Sequence, residues 1–198
     1  MRLFPAFYDF VILRAERGSF GKIRQQMIAP LRGLIIEVAA GSGLNFRHYS
    51  ADADVVAIDR DVQTLMSRAR PRAAGSAARI TLVAADAELL PFREGAFDRG
   101  VATLALCTIP HPDRALAELR RSIRSDGSLH LLEHVRVRSP LVARLQEWLT
   151  PVWRRLAEGC HLDRRITDDV VGAGLVLDRV DEHLGGYVQM IVARIPSA

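Results

Sequence analysis

From residue 34 onward, short apolar runs alternate with longer stretches in which apolar side chains recur every three or four positions. The apolar runs fall at 34–38, 55–59, 80–84, 99–104, 129–133, 176–181 and 187–195. Runs of this length bounded by Gly, Asp and Ser clusters read as strands. The helical patterns between them fall at 45–48, 62–74, 113–124 and 141–158. Short strands alternating with helices predict an α/β fold, a parallel sheet with helices on both faces. The last two strands are separated only by a turn at Gly185–Gly186, so they should form a hairpin that adds an antiparallel strand. Thr150–Pro151 interrupts the stretch 141–158. Proline sits well in a first helical turn, so Thr150 is expected to cap a second helix there. Residues 1–33 read as a helical segment that covers the sheet as a cap or lid, ahead of one domain at 34–198.

Composition narrows the possible functions. A chain of 198 residues, 49% hydrophobic and 25% charged, can build one globular domain around one sizeable core. The net charge of +4 comes almost wholly from arginine, since Lys22 is the only lysine. Its basic residues are scattered, with pairs at Arg120–Arg121, Arg154–Arg155 and Arg164–Arg165, which argues against nucleic acid as a partner. Cys107 and Cys160 make no disulfide framework, so free thiols in a reducing cytoplasm fit best. With His111 and His161 they contain no C-x-x-C, and no metal is expected. The stretch 3–13 is apolar but holds Pro5 and Asp9. It is too short to span a bilayer and lacks a signal-peptide cleavage site, which leaves contact with a membrane surface open.

The candidate chemistry begins at "IIEVAAGSGLNF", residues 35–46. In an open parallel sheet, ligands bind beyond the carboxyl ends of the strands, and this glycine turn ends the first strand. A phosphate loop of the G-x-x-x-x-G-K-[ST] type is excluded, because no lysine is near. The dinucleotide pattern G-x-G-x-x-G is half met by Gly41 and Gly43, with Phe46 in the third place. A nicotinamide-dependent oxidoreductase and a bare tight turn both stay open at this point. Asp59 closes the second strand in "VVAIDRD", Asp86 closes the third in "LVAADAELLPF", and "FDRGVATLALCTIP" announces the fourth. One ligand with a ribose, accepted by Asp59, and an adenine amino group, met by Asp86, accounts for them together.

These residues resemble the class I S-adenosylmethionine-dependent methyltransferases, of the large type 11 or UbiE-like group. The group's E-x-G-x-G-x-G motif stands here as Glu37, Ala39, Gly41 and Gly43, with Ala39 in place of the first glycine. Asp59, "ADAELLPF" and "RSIRSDGSLHLLEHV" continue the likeness, with Asp126–Gly127–Ser128 where proline and paired glycines are usual. The resemblance implies a Rossmann-like three-layer α/β/α sandwich around a mostly parallel seven-stranded sheet. It also implies a cofactor site of Glu37, Ala39, Gly41, Gly43, Asn45, Asp59, Arg60, Asp86, Ala87 and Thr103. In that site Gly41 and Gly43 admit the methionine portion, Asp59 takes the ribose, Asp86 and Ala87 take the adenine, and Arg60 lies against its ring. Glu37 orders the glycine loop. Tyr8, beside Phe7, would offer a hydroxyl from a lid over the cofactor.

On the acceptor side, "TLALCT" stands where amino-group and base methyltransferases carry N/D-P-P-Y, and no carboxylate set for magnesium is evident. A small-molecule acceptor follows. The strings "TLALCTIP", "LLEHV" and "TPVWRRLAEGCHLDR" resemble a short branch that includes membrane-associated thiol S-methyltransferases of animals, which carry an N-terminal membrane helix not seen here. That likeness favours a thiol or similar nucleophile. Transfer to a quinone, a lipid or another oxygen, carbon or nitrogen acceptor stays open, as does a cofactor-binding module without turnover. His134, after the fifth strand, is the candidate to handle a proton or simply to cap. Cys107 and Cys160 would line the pocket or fill space, and Trp148 and Trp153 would pack a helix or wall a pocket.

Overall fold

The computed structural model describes residues 18–157 and 159–197. Seven strands form one sheet: β1 Gly33–Val38, β2 Ala53–Asp59, β3 Arg79–Ala84, β4 Phe97–Thr103, β5 Ile123–His134, β6 Val176–His183 and β7 Val188–Arg194. Their spatial order is β3-β2-β1-β4-β5-β7-β6. The pairs among β1 to β5 are parallel, whereas β7 runs antiparallel to both β5 and β6. The carboxyl ends of five strands therefore share one edge. From β1 the chain winds outward to β3, then returns across β1 to β4, so the turn after β1 lies where the winding reverses. That is where α/β sheets bind ligands.

Alternation along the strands builds two cores. Ile36, Val38, Ile58, Leu129, Leu131 and Ile191 face one way. They pack with Leu116 and Leu119 of α3 (Pro112–Ser122) and Val170 of α5 (Ile166–Gly172). Their neighbours Ile35, Val55, Ala57, Val101, Leu132 and Met190 face the other way. These meet Phe20, Ile23 and Met27 of α1 (Ser19–Ile28) and Leu65 of α2 (62–74). Period-two side chains on a sheet covered on both sides require continuous apolar strands, which is what the sequence carries. Within α2 the five residues Leu65–Ala69 form a π-type turn between two α-helical pieces.

Three expectations change. The stretch 141–158 does not split at Thr150. One helix, α4, runs Pro140–Leu156 through Pro151. The Thr150 hydroxyl donates 2.7 Å back to the Gln146 carbonyl inside that helix instead of capping a new one, and Pro151 lies on the exposed face, where the missing N–H is tolerated. Strand β5 begins at Ile123, six residues before the expected 129, and α3 stops at Ser122. Asp126 takes φ 61° there, and a Cβ at Gly127 would lie 2.7 Å from the Asp98 carbonyl oxygen, so glycine is required. Trp148, expected to pack a helix or wall a pocket, is 76% exposed. The helix α5 lies in a stretch with no expected element, because its seven residues are too few to show a period.

Candidate active site

The glycine turn is fixed by backbone torsions and by a carboxylate. Ala39, Gly41 and Gly43 take φ of 50°, 54° and 77°, the left-handed region that costs a side-chain-bearing residue about 1 kcal/mol or more. Ala39 thus adopts the conformation a glycine would take freely. A Cβ on Gly43 would fall 2.5 Å from the Phe46 ring, whereas among the described residues one on Gly41 would meet only the Ala39 carbonyl oxygen, 3.9 Å away. The open side of Gly41 is where another molecule can approach the backbone. Asp59, half-buried at the end of β2, accepts the Gly41 N–H at 2.8 Å and the Asp61 N–H at 2.9 Å. Arg60 beside it is exposed.

Beneath the turn lies a buried polar network. The Glu37 carboxylate accepts the Asn45 amide at 3.0 Å and the Tyr49 hydroxyl at 2.7 Å. The Asn45 amide also donates to Thr103 Oγ1 at 2.9 Å, and its carbonyl accepts from Arg24 of α1. The Arg24 guanidinium lies over the Phe20 ring, 5.3 Å from its centroid. Burial pushes Glu37 up to about 7, against the lowering effect of Tyr49, Asn45 and Arg24. Burial first, and then the Glu37 charge, hold the Tyr49 phenol well above its usual value. Glu37 faces away from solvent and binds the loop to its neighbours. At β3, Asp86 is exposed and accepts the Glu88 N–H at 2.9 Å, while Ala87 is buried. Tyr8 and Phe7 lie outside the described residues.

A second group gathers beyond β4 and β5. Glu133, fully buried, accepts the N–H groups of Ala105 and Leu106 at 3.0 Å and of Cys107 at 3.2 Å. Burial raises its pKa and those three N–H donors oppose the rise. The carboxylate thus folds the segment after β4 into a tight turn. Arg164 closes the turn from outside, donating to the carbonyls of Leu106 and Ile109. In this frame Cys160 Sγ lies 3.6 Å from Cys107 Sγ and 3.7 Å from His134 Nδ1. The Cys160 thiol is lowered to about 5, first by its hydrogen bond with Cys107, then by His134, with burial opposing. Cys107 moves the opposite way, raised first by that same hydrogen bond, then by burial and the Glu133 charge.

The structure thus brings Glu37, Asn45 and Thr103 into one network, and Gly41 and Asp59 into direct contact. It places Asp86, Ala87 and Arg60 along the same edge without linking them to that network. His134 meets Cys160, while His111 is exposed and apart from them. Sequence reasoning missed Arg24, Tyr49, Glu133 and Arg164 as site-building residues. Glu133 had a signal in its place in "LLEHV", and Arg164 in its place at the end of "TPVWRRLAEGCHLDR".

A family model described as a methyltransferase domain matches residues 36–151. The chain belongs to that family, and its fold is that of the class I S-adenosylmethionine-dependent methyltransferases. It is 27% identical over 158 residues to the thiol S-methyltransferase TMT1B of Rattus norvegicus, covering 78% of this chain and 65% of that one. With the human thiol S-methyltransferase TMT1A it shares 28% identity over 165 residues, covering 81% and 67%. It therefore spans about two thirds of the length of these relatives. A solved S-adenosylmethionine-dependent methyltransferase from Methanosarcina mazei superposes with a TM-score of 0.64 at 19% identity, covering 84% of this chain and 94% of that one. Among the described residues, no helix is long and apolar enough to cross a membrane.

Proposed function

We propose that the chain transfers the methyl group of S-adenosylmethionine to a small, apolar acceptor, with a thiol as the nucleophile. The observation that carries this reading is the glycine turn at the reversal point of the sheet, tied by its Gly41 N–H to Asp59. Gly41 has open space where a side chain would stand, and Asp59 keeps exposed carboxylate surface with lone pairs to spare. Those features fit a ligand with a ribose diol and an amino-acid portion. Asp59 holds the ribose hydroxyls, Asp86 and Ala87 meet the adenine, Arg60 covers its ring, and Gly41 and Gly43 admit the methionine part. Glu37, Ala39, Asn45 and Thr103 act beneath that surface, fixing the turn. Of the segment 1–33, residues 1–17 lie outside the described residues; the described part serves as a cap, a role supported by the reach of Arg24 from α1 to Asn45.

When bound, the cofactor supplies a methyl group on a sulfonium, so the protein needs chiefly to align an acceptor and exclude water. A thiol acceptor is supported by the likeness to the two thiol S-methyltransferases. His134, half-buried at the end of β5, accepts or relays a proton in this reading. Titration calorimetry with S-adenosylhomocysteine should show one site per chain. A folded protein that fails to bind it at millimolar concentration overturns the reading. Methylation of aryl and alkyl thiols, with phenols and amines left unmodified, would settle the acceptor class, and the reverse preference would overturn it.

A further inference from the structure

Among the described residues outside the cofactor network, one cluster of reactive groups holds two buried cysteines that the proposed transfer does not use. Cys107 comes from the turn after β4, His134 from the end of β5, and Cys160 from the turn after α4. Their Sγ and Nδ1 atoms all lie within 4.8 Å of one another. We propose that these three residues form a binding site for a zinc ion, with a fourth coordination position left for an external sulfur ligand.

The distances carry the case. Zinc bonds of about 2.3 Å to thiolate and 2.0–2.1 Å to imidazole give tetrahedral edges of about 3.8 Å between sulfurs and about 3.5 Å between sulfur and nitrogen. The observed Cys107–Cys160 and Cys160–His134 separations are 3.6 and 3.7 Å. Two edges of a coordination tetrahedron are thus already in place, and the third pair, Cys107 and His134, lies within 4.8 Å. Donor type points the same way. Thiolate and imidazole select zinc and other soft ions over magnesium or calcium, which prefer oxygen. Two thiolates and one neutral imidazole also cancel the charge of a divalent ion, so binding buries no net charge.

The donors are held in place by their surroundings. The Cys107 N–H donates to Glu133, and its carbonyl accepts the His161 N–H at 2.8 Å. The Cys160 N–H donates 2.9 Å to the Ala157 carbonyl. Both cysteines are buried and His134 is half-buried, which leaves the histidine side as the way in. Among the described residues, no fourth histidine, cysteine or carboxylate joins the cluster. Three protein ligands with a vacant position is the arrangement of a zinc site that takes a substrate. A thiol R–SH bound there through sulfur gives up its proton to water, and the freed sulfur electron pair becomes the nucleophile. That step rests on the thiol reading of the preceding subsection; the metal site itself does not.

The full chain, reduced with a phosphine and stripped with a chelator, should be titrated with zinc and, separately, with cobalt(II). One zinc per chain should bind tightly, and cobalt should give intense sulfur-to-metal charge-transfer absorption with four-coordinate ligand-field bands. Cys160→Ser should abolish the charge-transfer pattern, and His134→Ala should weaken zinc binding by tenfold or more. Binding of S-adenosylhomocysteine reports folding in both variants and in the stripped protein, so losing the metal site is distinguishable from losing the cofactor site. Absence of stoichiometric zinc binding, a six-coordinate cobalt spectrum, or a spectrum unchanged by Cys160→Ser overturns the proposal. Benzenethiol added to the cobalt-loaded chain should shift the charge-transfer band, and an unmoved band overturns the open position.

Discussion

The carboxyl edge of the sheet has two halves built from different atoms. Around β1 and β2, oxygen and nitrogen groups bond to one another reciprocally: Asp59 to the Gly41 N–H, Glu37 to Asn45 and Tyr49, and Asn45 to Thr103 and Arg24. Around β4 and β5, one buried carboxylate, Glu133, holds the backbone of 105–107, and what is presented beyond it is sulfur and imidazole. The first half has directional partners at each position and suits a polar ligand of fixed shape. The second offers polarizable groups on a rigid frame and suits a soft ligand. In each half a buried carboxylate shapes a loop from below, so neither glutamate needs to touch what binds above it.

If the second half depends on its frame, Glu133→Ala should give the largest effect. Three buried N–H groups would lose their acceptor, each loss costing about 1–3 kcal/mol. A total on the order of 4 kcal/mol is a large share of a typical domain's stability. Urea denaturation measures it, and Glu133→Gln, which keeps one acceptor oxygen, should lose less. A change under about 1 kcal/mol would mean that the turn after β4 stands without the carboxylate.

Glu37 makes the corresponding test in the first half through pH. Its folded value of about 7 exceeds the ordinary 4.5. Stability from this group is therefore full below 4.5 and falls as pH rises toward 7, by up to about 3 kcal/mol. His130 acts in the opposite sense. Burial first, and then Arg99, lower it from 6.5 to about 4, so its contribution is present above 6.5 and is lost as pH falls toward 4. The two slopes oppose each other between pH 4.5 and 6.5 in the wild type. Glu37→Gln should remove one of them, and stability measured by denaturation should then rise with pH across that window. A variant with the wild-type profile would place the titration elsewhere.

Asp59 tests what the first half is for. A charged carboxylate that accepts ribose hydroxyls contributes on the order of 1.5–3 kcal/mol per bond. Asp59→Ala should weaken S-adenosylhomocysteine binding at least tenfold by calorimetry. The variant also frees the Gly41 and Asp61 N–H groups, so a modest loss of stability should accompany the affinity loss. Asp59→Asn should fall between the two, because its amide nitrogen faces one of those N–H donors. Unchanged affinity in Asp59→Ala would remove the ribose from this strand end.

The two halves also differ in how far the chain announces them. Glu37, Gly41, Gly43 and Asp59 stand at strand ends in motif order, so strand alternation and fixed spacing were enough to group them. Thr103 and Asn45 fell in the same group, but their mutual hydrogen bond depends on how the chain turns after Gly43. Arg24 and Tyr49 carry no local signal, because a buried arginine on α1 looks like a surface residue until the helix packs. Cys107 and His134 are separated by α3 and the length of β5, and His134 and Cys160 by α4. Only the register of β4 against β5 and the turn after α4 bring them together. The unbroken α4 shows the opposite failure. A proline rule that holds for isolated helices gave way to the Thr150 bond and to solvent on the proline side.

His134→Ala should give the smallest effect on cofactor affinity, and that smallness separates the halves. The imidazole meets Cys160, and no hydrogen bond joins it to Asp59, Glu37, Asn45 or Gly41. Its removal leaves the glycine turn and its carboxylate untouched. The S-adenosylhomocysteine dissociation constant should therefore stay within about twofold of the wild type, under about 0.5 kcal/mol. Methyl transfer to a thiol should fall tenfold or more, because the variant removes the side chain that either takes the acceptor's proton or holds the ion that binds its sulfur. Calorimetry and a methyl-transfer assay on the same preparation give both numbers. A parallel loss of affinity and rate would mean that the edge acts as one site, with the sulfur cluster supporting the cofactor instead of the acceptor.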